Sequence, residues 1–387
     1  MGRKISKRTF IKTCACGVGT IAVGLSGMDA LANQIERRFP DPLVPEMPVR
    51  WKWSREAMHY TETPRGLKCQ LCPNACLIKE GDTSMCRTRM VEKGKMYTIV
   101  FGNPCSVHVD PVEKKPLFHF LPSSTAYSFA TAGCTLACLY CQNWEISQAS
   151  PLDTRNTDLM PQNAVDECEK NDCRSIAYTY AEPVAFYEYT LETSKIARNK
   201  GIKNILVSNG FIQDKPIREL AKYLDAANIT LKSFNDETYQ KMCGGALNPV
   251  LNTLKALKET NVWLEITCLI VPGWTDDLEQ IRNMCAWFIQ NGFSDTPVHF
   301  NRFFPEYKLK QLPATPLSTL EKARNIALSA GMNYVYIGNI PGTNYENTTW
   351  PHCKKTVVER KGFVMVSNNI VAGKCKYCKT AIAGHWA

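Results

Sequence analysis

The chain has 387 residues, of which 44% are hydrophobic and 21% charged, ordinary values for a globular protein with a sizeable core. Residues 1–32 hold five Lys/Arg and one Asp, so the net charge of +10 falls to +6, from 41 basic and 35 acidic residues, over the remainder. The remainder has no Lys/Arg-rich run, so no nucleic-acid partner is expected. Eighteen cysteines in a chain of this size favour metal ligation over a disulfide framework.

Residues 1–32 are typical of an export signal. Ser6-Lys7-Arg8-Thr9-Phe10-Ile11-Lys12 precedes a short, weakly apolar stretch, and Ala30-Leu31-Ala32 matches a small-residue cleavage pattern. The basic string resembles a twin-arginine (Tat) signal whose first arginine is replaced by lysine. We therefore expect periplasmic localisation by Tat export, with an uncleaved basic tail on a cytoplasmic protein as the alternative. No transmembrane segment is expected in the mature chain.

Residues 33–64 are predicted to be a linker, and residues 65–122 contain a first cysteine group with the spacing Cys-x2-Cys-x3-Cys-x9-Cys. Four thiolates within eighteen residues can close a tetrahedral metal shell, because Pro73 and Gly81 allow the chain to turn. An auxiliary iron–sulfur cluster that relays electrons and a structural zinc knuckle both fit, since the two sites accept the same ligands. The four expected ligands are Cys69, Cys72, Cys76 and Cys86.

A second cysteine group, Cys134, Cys138 and Cys141, follows the apolar, strand-like run from Ala126 to Ala132. Iron–sulfur clusters are normally held by four thiolates. Three cysteines with no fourth nearby can hold three irons of a [4Fe–4S] cluster and leave the fourth iron open, and an open metal position is typical of a reactive site. By spacing alone, a three-cysteine zinc site or a chance triplet remains the alternative.

The spacing of this triplet, Tyr140 just before the last cysteine, and the place of the loop after a first strand resemble the radical S-adenosylmethionine (radical SAM) superfamily. The resemblance implies a [4Fe–4S] cluster on the three cysteines, whose open iron chelates the amino and carboxylate groups of SAM. An electron from the cluster would cleave SAM to methionine and a 5′-deoxyadenosyl radical, which abstracts hydrogen from a substrate. An electron donor is therefore an expected partner.

From Ala126 onward, strand-like runs alternate with helical patterns, which predicts an α/β fold with a partial TIM-like (β/α) barrel over residues 123–344. His108 and His119 precede it and are expected to be packing or surface residues. The predicted strands are 126–132, 175–180, 204–208, 228–232, 262–271, 297–300 and 334–337. The predicted helices are 183–200, 215–224, 250–259, 277–291 and 318–330.

Polar residues follow several of these strands, where the chemistry of such barrels gathers. Glu182, in Tyr180-Ala181-Glu182-Pro183, stands where relatives carry a Gly-Gly-Glu-Pro motif that contacts the SAM amino group, but neither glycine is present. Ser208-Asn209-Gly210 resembles a contact to the SAM ribose, with a plain turn as the alternative. The cofactor-binding residues that the resemblance implies are Tyr140, Glu182, Ser208, Asn209, Gly338 and Asn339.

Three further residues are expected to act on SAM or the substrate. Lys232 matches the lysine of an Asp-Leu-Lys segment in relatives, although Thr230 replaces the aspartate, and it could hold the SAM carboxylate or a substrate anion. His299 and Arg302 close the sixth strand and are expected to face the substrate. Cys243, after the fourth strand, is a candidate radical relay or ligand, with ordinary packing as the commoner alternative.

Residues 345–387 carry a third cysteine group, in which Trp350-Pro351-His352-Cys353 is answered by Cys375 and Cys378. This tail resembles a zinc ribbon that has lost one cysteine, because relatives read Cys-Pro-x-Cys where Trp350 stands here. The three cysteines are therefore expected to bind zinc, and His352 is a candidate for the fourth ligand in place of the missing cysteine. A packing hairpin without metal is the other interpretation.

Together, the cysteine groups, Ala-Tyr-Thr-Tyr-x-Glu-Pro, Ser-Asn-Gly and Arg-Phe-Phe-Pro resemble the radical SAM protein of the AmmeMemoRadiSam system over about residues 65–387. That branch is related to the pyruvate formate-lyase-activating enzymes, oxidoreductases that abstract hydrogen from a backbone glycine of a partner protein. The expected substrate is accordingly a protein, including a glycyl radical enzyme, or a small molecule. The alternative is an exported iron–sulfur electron-transfer or metal-binding protein on the same scaffold, because a periplasm offers no obvious SAM supply.

Overall fold

The computed structural model describes residues 51–386, so the predicted export signal and residues 33–50 of the predicted linker lie outside the described residues. Within residues 51–386, no helix combines the length and apolar character needed to cross a membrane.

The first part of this range is a small region of short antiparallel strands. They form two three-stranded sheets, with the orders β1-β6-β5 and β2-β3-β4. β5 and β6 join in a two-residue hairpin whose central residues, Lys93 and Gly94, both have positive φ, the geometry that suits the twist of a tight hairpin. β1 and β2 form from residues of the predicted linker. The strands are β1 (Arg55–Glu56), β2 (Tyr60–Thr63), β3 (Gly66–Cys69), β4 (Leu77–Ile78), β5 (Arg89–Glu92) and β6 (Lys95–Thr98).

The central element is an eight-stranded sheet with the order β14-β13-β12-β11-β10-β9-β8-β7. β7 is antiparallel to β8, and every later strand is parallel to the one before it. That order is the order of a (β/α) barrel. β14 and β7 do not pair within residues 51–386, so the sheet is open there. The strands are β7 (Ser106–Pro111), β8 (Thr125–Ala130), β9 (Ser175–Tyr178), β10 (Lys203–Ser208), β11 (Ala226–Thr230), β12 (Trp263–Ile270), β13 (Val298–Arg302) and β14 (Val335–Gly338).

Helices connect these parallel strands, and eight are present among the described residues. All seven predicted strands and all five predicted helices are found, the strands with bounds within two residues of those expected. α1, α2 and α5 were not predicted; α2 was missed because it is short and mostly polar, burying only its first residue and three later side chains. The helices are α1 (Trp144–Ser147), α2 (Pro161–Lys170), α3 (Tyr187–Asn199), α4 (Asp214–Ala221), α5 (Asp236–Cys243), α6 (Leu247–Glu259), α7 (Leu278–Gln290) and α8 (Leu317–Ala330).

The segment after β7 covers one face of the sheet near the beginning of its strands. Side chains of this segment pack against small and apolar residues of β8, β9, β10 and β11. The backbone N–H groups of Phe118 and His119 donate to the buried Glu265 of β12 at 3.0 and 2.8 Å. Because the segment after β7 covers the beginnings of the strands, a cofactor or substrate site is expected at their carboxyl ends.

The last part of the chain forms short strands that pack on the segment after β7. Arg360 is buried and donates to the carbonyl of Phe118 at 2.7 Å and to Thr348 Oγ1 at 2.8 Å. These bonds tie the C-terminal region to the central sheet. The strands are β15 (Thr348–Thr349), β16 (Thr356–Lys361), β17 (Val364–Asn368), β18 (Ile370–Val371) and β19 (Lys374–Cys375).

Candidate metal and cofactor site

The loop of Cys134, Cys138 and Cys141 follows β8 and is held by the C-terminal end of α5. The N–H of Ala137 donates to the carbonyl of Cys243 and the N–H of Leu139 to that of Met242, both at 2.9 Å. These two bonds clamp the loop on either side of Cys138. α5 ends here because Gly244 takes the left-handed conformation, with φ of +69°, that stops a helix.

The three thiols share a charged environment with Lys232, which follows the end of β11. Burial disfavours the charged amine, but the neighbouring thiolates raise the pKa of Lys232 above its ordinary value. Its Nζ lies 5.7 Å from the ring centroid of Tyr140, which is itself buried. A hydrogen bond with Cys243 lowers the pKa of Cys138 to about 7, against burial and with help from Lys232. Lys232 can therefore balance the negative charge of thiolate ligands.

Glu182 joins the next two strand ends to this loop. Its carboxylate accepts hydrogen bonds from Ser208 Oγ at 2.7 Å and from the N–H of Asn209 at 2.9 Å. Asn209 Nδ2 in turn donates to Thr135 Oγ1 at 3.1 Å and lies 3.8 Å from Cys134 Sγ. Glu182 is almost fully buried, and burial raises its pKa in spite of these donors. Three of the predicted cofactor residues are thus in direct contact beside the first cysteine.

Arg302, Gly338 and Asn339 meet at the ends of β13 and β14. Asn339 Nδ2 donates to the carbonyl of Arg302 at 3.2 Å, and Arg302 Nε donates to the carbonyl of Thr315 at 2.9 Å. Gly338 leaves room for the side chain of Asn301, since a Cβ there would lie 2.3 Å from Asn301 Oδ1 and would displace that amide. The loop between β13 and α8 reaches the cysteine loop through the bond from Lys308 N–H to the carbonyl of Leu139, at 2.9 Å.

His299 lies near the beginning of β13, away from the strand ends. Its Nε2 is 2.7 Å from Glu265 Oε2, and both side chains are buried. Burial favours the protonated carboxyl, but the hydrogen bond and charge of His299 lower the pKa of Glu265 below its usual value. His119, which the sequence marked as ordinary, donates from Nδ1 to the carbonyl of Ala383 at 2.7 Å and accepts from the Tyr336 hydroxyl at 2.5 Å.

Two polar contacts near the cysteine loop involve residues to which the sequence analysis assigns no role, although Tyr180 belongs to the Tyr180-Ala181-Glu182-Pro183 segment. Asn143 Nδ2 donates to the carbonyl of Tyr180 at 2.6 Å, which links the cysteine loop to the segment before Glu182. The Tyr180 hydroxyl donates to Asp110, which also accepts from the buried Lys115 Nζ at 2.6 Å. Burial lowers the pKa of Lys115 to about 8, despite the charge of Asp110. Since no sequence pattern marks a lysine as buried, only the fold reveals this cluster.

The C-terminal cysteines form a compact group. The sulfur atoms of Cys353, Cys375 and Cys378 all lie within 4.8 Å of one another, with 3.8 Å between Cys353 Sγ and Cys375 Sγ. Thiolates on one tetrahedral zinc, bound at about 2.3 Å, lie about 3.8 Å apart, so these residues fit a single metal ion. His352 is exposed and is not a member of the group.

Two similar turns produce this arrangement. The carbonyl of Trp350 accepts from the N–H of Lys354, as that of Cys375 accepts from Lys379, at 2.9 Å in both cases. Trp350 and Cys375 also donate their own N–H groups to the carbonyl five residues ahead, again at 2.9 Å. Lys354 and Lys379 have positive φ values of 58° and 64°. Trp350 therefore occupies, in the first turn, the position that Cys375 occupies in the second.

Comparison with known proteins defines the class to which this fold and site belong. Residues 129–285 match the family model described as "Radical SAM superfamily". An uncharacterized protein of Methanocaldococcus jannaschii is 40% identical over 327 residues, which cover 84% of this chain and 97% of that protein. The chain therefore belongs to the radical SAM superfamily.

Two further comparisons concern activating enzymes. Pyruvate formate-lyase 1-activating enzyme of Escherichia coli strain K12 is 29% identical over 220 residues, 53% of this chain and 89% of that enzyme. A solved domain of pyruvate-formate lyase-activating enzyme from Bacteroides vulgatus covers 43% of this chain and 99% of that domain at 15% identity, with a TM-score of 0.36.

Membership in the superfamily implies a [4Fe–4S] cluster and SAM as cofactors and supports radical SAM chemistry by an enzyme. The described residues fit such a cluster. The three thiols of Cys134, Cys138 and Cys141 lie close to one another, since the charge of Cys138 raises the pKa of both Cys134 and Cys141. All three interact with the positive charge of Lys232. Among the described residues, they do not form a group as compact as the C-terminal cysteines. Thiolates that bind different irons of one cluster need this wider spacing.

Proposed function

We propose that this protein is a radical SAM enzyme that abstracts hydrogen from a protein or small-molecule substrate. The observation that carries the proposal is the contact of Asn209 with both Thr135 and Cys134, because it joins the cysteine loop to the Glu182 and Ser208 strand ends. When bound, a [4Fe–4S] cluster and SAM together supply a 5′-deoxyadenosyl radical, formed by one-electron reduction of SAM.

The residues of the chain would hold and orient these groups. Cys134, Cys138 and Cys141 would ligate the cluster, and Lys232 would offset its negative charge. Glu182 keeps Ser208 and the Asn209 backbone in place, so the Asn209 amide stays against the cysteine loop. Because the protein orients its cofactors and excludes side reactions rather than supplying the radical, these contacts define its contribution.

The likeness to enzymes named for activating pyruvate formate-lyase supports a protein substrate, including a glycyl radical enzyme. The motif resemblance supports the AmmeMemoRadiSam branch. The basic string and cleavage pattern of residues 1–32 support Tat export to the periplasm.

The test is anaerobic. Reconstitute the full chain with iron and sulfide, add SAM and dithionite, and measure 5′-deoxyadenosine by liquid chromatography. We expect product from the natural protein and none from Cys138→Ala. Cys105→Ala is the matched control, since Cys105 is half-buried and belongs to none of the three cysteine groups.

A cluster whose electron paramagnetic resonance (EPR) spectrum does not change on adding SAM, together with no product, would overturn the proposal. The electron-transfer interpretation would then replace it.

A further inference from the structure

The four cysteines of the first group come together in one buried pocket. Cys69 ends β3 and its N–H donates to the carbonyl of Cys76 at 2.9 Å, which closes the turn that carries Cys72. Cys86 lies in the loop before β5. Ser84 Oγ lies 3.1 Å from Cys86 Sγ and accepts from the N–H of Arg89, whose Nη1 lies 3.4 Å from Cys69 Sγ, so the loop of Cys86 is joined to the turn of Cys69. Cys69, Cys72 and Cys86 are buried and Cys76 is half-buried.

The spacing of this group differs from that of the C-terminal cysteines. Within residues 51–386, only Cys353, Cys375 and Cys378 bring three potential ligand atoms within 4.8 Å of one another. The first group is therefore wider than a site in which thiolates share one zinc ion. It matches the Cys134 loop in this respect, and thiolates on separate irons of a cluster need such spacing.

The pocket is also built for a negatively charged group. Arg89 is fully buried and its Nη1 lies 3.4 Å from Cys69 Sγ. Its Nη2 pairs with the buried Glu188, while its Nε–H has no hydrogen-bond partner among the described residues. The Nε–H lies on the same side of the guanidinium as Nη2, the side of Glu188, whose Oε2 also has no partner among the described residues. The part of Arg89 that serves the pocket is Nη1, which places the positive charge beside the sulfur of Cys69.

Hydroxyl groups next to Cys86 point to the same conclusion. Ser84 Oγ and Thr88 Oγ1 each lie 3.1 Å from Cys86 Sγ. Hydrogen bonds to ligand sulfur stabilise the reduced, more negative form of an iron–sulfur cluster and so raise its potential. Thiolates on zinc accept such hydrogen bonds as well, so these hydroxyls indicate thiolate ligands, and the wide spacing of the sulfur atoms is what favours a cluster.

The pocket touches the cysteine loop of the SAM site directly. Asn74 Nδ2 donates to the carbonyl of Thr135 at 2.7 Å. Gly133, which precedes Cys134, packs so closely on the backbone of Cys86 that a Cβ would lie 2.4 Å from its carbonyl oxygen. Gly133 also has φ of +99°, so only glycine suits this position. The two ligand loops are therefore adjacent, without an intervening layer of protein.

We propose that Cys69, Cys72, Cys76 and Cys86 hold an auxiliary [4Fe–4S] cluster through which electrons enter the SAM site. An external one-electron donor, a reduced flavin or iron–sulfur protein, would be oxidised as the auxiliary cluster is reduced. That electron would pass to the cluster of the Cys134 loop, which returns the auxiliary cluster to its oxidised form, with no bond made or broken. The proposed route of electrons into the SAM site rests on the proposed function, whereas the assignment of an iron–sulfur cluster to these four cysteines does not.

The first experiment isolates the auxiliary site by counting metals in a full-length variant with Cys134, Cys138 and Cys141 all changed to Ala. After anaerobic reconstitution we expect about four iron atoms per chain, against about eight in the natural protein, and an EPR signal on reduction with dithionite. The assignment would be overturned if the triple variant contained no iron and bound two zinc ions. Adding Cys378→Ser to that variant would remove the zinc of the C-terminal site, so a zinc ion that remained would belong to the first cysteine group. Cys105→Ser is the matched control and should keep about eight irons.

The second experiment tests the relay. Cys76→Ser changes the least buried of the four ligands and Arg89→Gln removes the buried charge, so one is available if the other does not fold. We expect Cys76→Ser to alter the auxiliary EPR signal, and Arg89→Gln to lower the auxiliary midpoint potential. Both should slow 5′-deoxyadenosine formation supported by reduced flavodoxin.

In both variants, adding SAM should still change the EPR spectrum of the cluster on the Cys134 loop. This control separates failure of the relay from failure of the proposed function. Flavodoxin-supported rates equal to those of the natural protein, with the auxiliary signal altered, would overturn the relay.

Discussion

Two regions of this molecule each present three cysteines, yet they arrange them in different ways. Cys353, Cys375 and Cys378 come from two tight turns and lie within 4.8 Å of one another, as ligands of one ion would. Cys134, Cys138 and Cys141 come from one loop and do not form such a compact group. The loop is held from outside, by α5 and by the ends of β9, β10 and β11. Two local turns suffice to place the C-terminal sulfur atoms, whereas the Cys134 loop depends on contacts from the surrounding fold.

Apart from loss of a cysteine ligand, the largest expected effect comes from removing the positive charge of Lys232 beside the loop. Lys232→Met should lower the rate of SAM cleavage by about 10²-fold, because it removes the half-buried positive charge that interacts with the three thiolates of the loop. Iron content should not change, since Lys232 is not a ligand. The measurement is the initial rate of 5′-deoxyadenosine formation together with iron per chain.

Lys255→Met is the matched control, because Lys255 also lies over an aromatic ring, that of Trp287 at 5.4 Å, but is exposed on α6. A Lys232→Met rate within about twofold of the Lys255→Met rate would remove Lys232 from the site.

A second prediction concerns the connection between the C-terminal region and the sheet. Burial lowers the pKa of His119 to about 4, so the folded state binds fewer protons than the unfolded state between that value and about 6.5. The contribution of the neutral His119 to the free energy of unfolding is fully present above about pH 6.5 and is lost as the pH falls toward about 4. The free energy of unfolding should therefore drop by about 2 kcal/mol from pH 7 to pH 5 on this account.

Urea unfolding at the two pH values measures this, and His119→Asn should show a smaller drop than the natural protein. The exposed His108 gives the control, since His108→Asn should keep the full dependence. Equal pH dependence in His119→Asn and the natural protein would show that His119 is not buried in the neutral form.

The smallest expected effect comes from a substitution that adds a fourth cysteine to the C-terminal site of Cys353, Cys375 and Cys378. Trp350→Cys places a thiol at the position equivalent to Cys375, so the dissociation constant for zinc should fall by at least about tenfold. The unfolding temperature of the metal-free protein should decrease, because Trp350 stacks on Tyr334.

Competition with a chromogenic chelator measures the affinity, and Trp350→Ala separates the lost packing from the added ligand. Zinc binding that is no tighter in Trp350→Cys than in Trp350→Ala would mean that the two turns do not share one metal.

Much of the fold could be predicted because its signals are local. The seven parallel strands are short apolar runs, and helices with a regular apolar face lie between most of them. The helices that were missed are short or polar, so their apolar period covers too few turns to be recognised. The open edge between β14 and β7 could not be predicted, since strand pairing depends on residues far apart in the chain.

The sequence by itself determined the cysteine spacings, the positions of the strands along the chain and the superfamily, because these are properties of neighbouring residues. Only the tertiary structure decided which polar groups meet. It brought Asn209 to Cys134, Asn74 to Thr135 and Lys232 to Tyr140, and it buried His299 against Glu265 near the beginning of its strand. The physical reason is that hydrogen bonds, burial and charge act through space, so the partner of a polar side chain is set by packing rather than by its place in a motif.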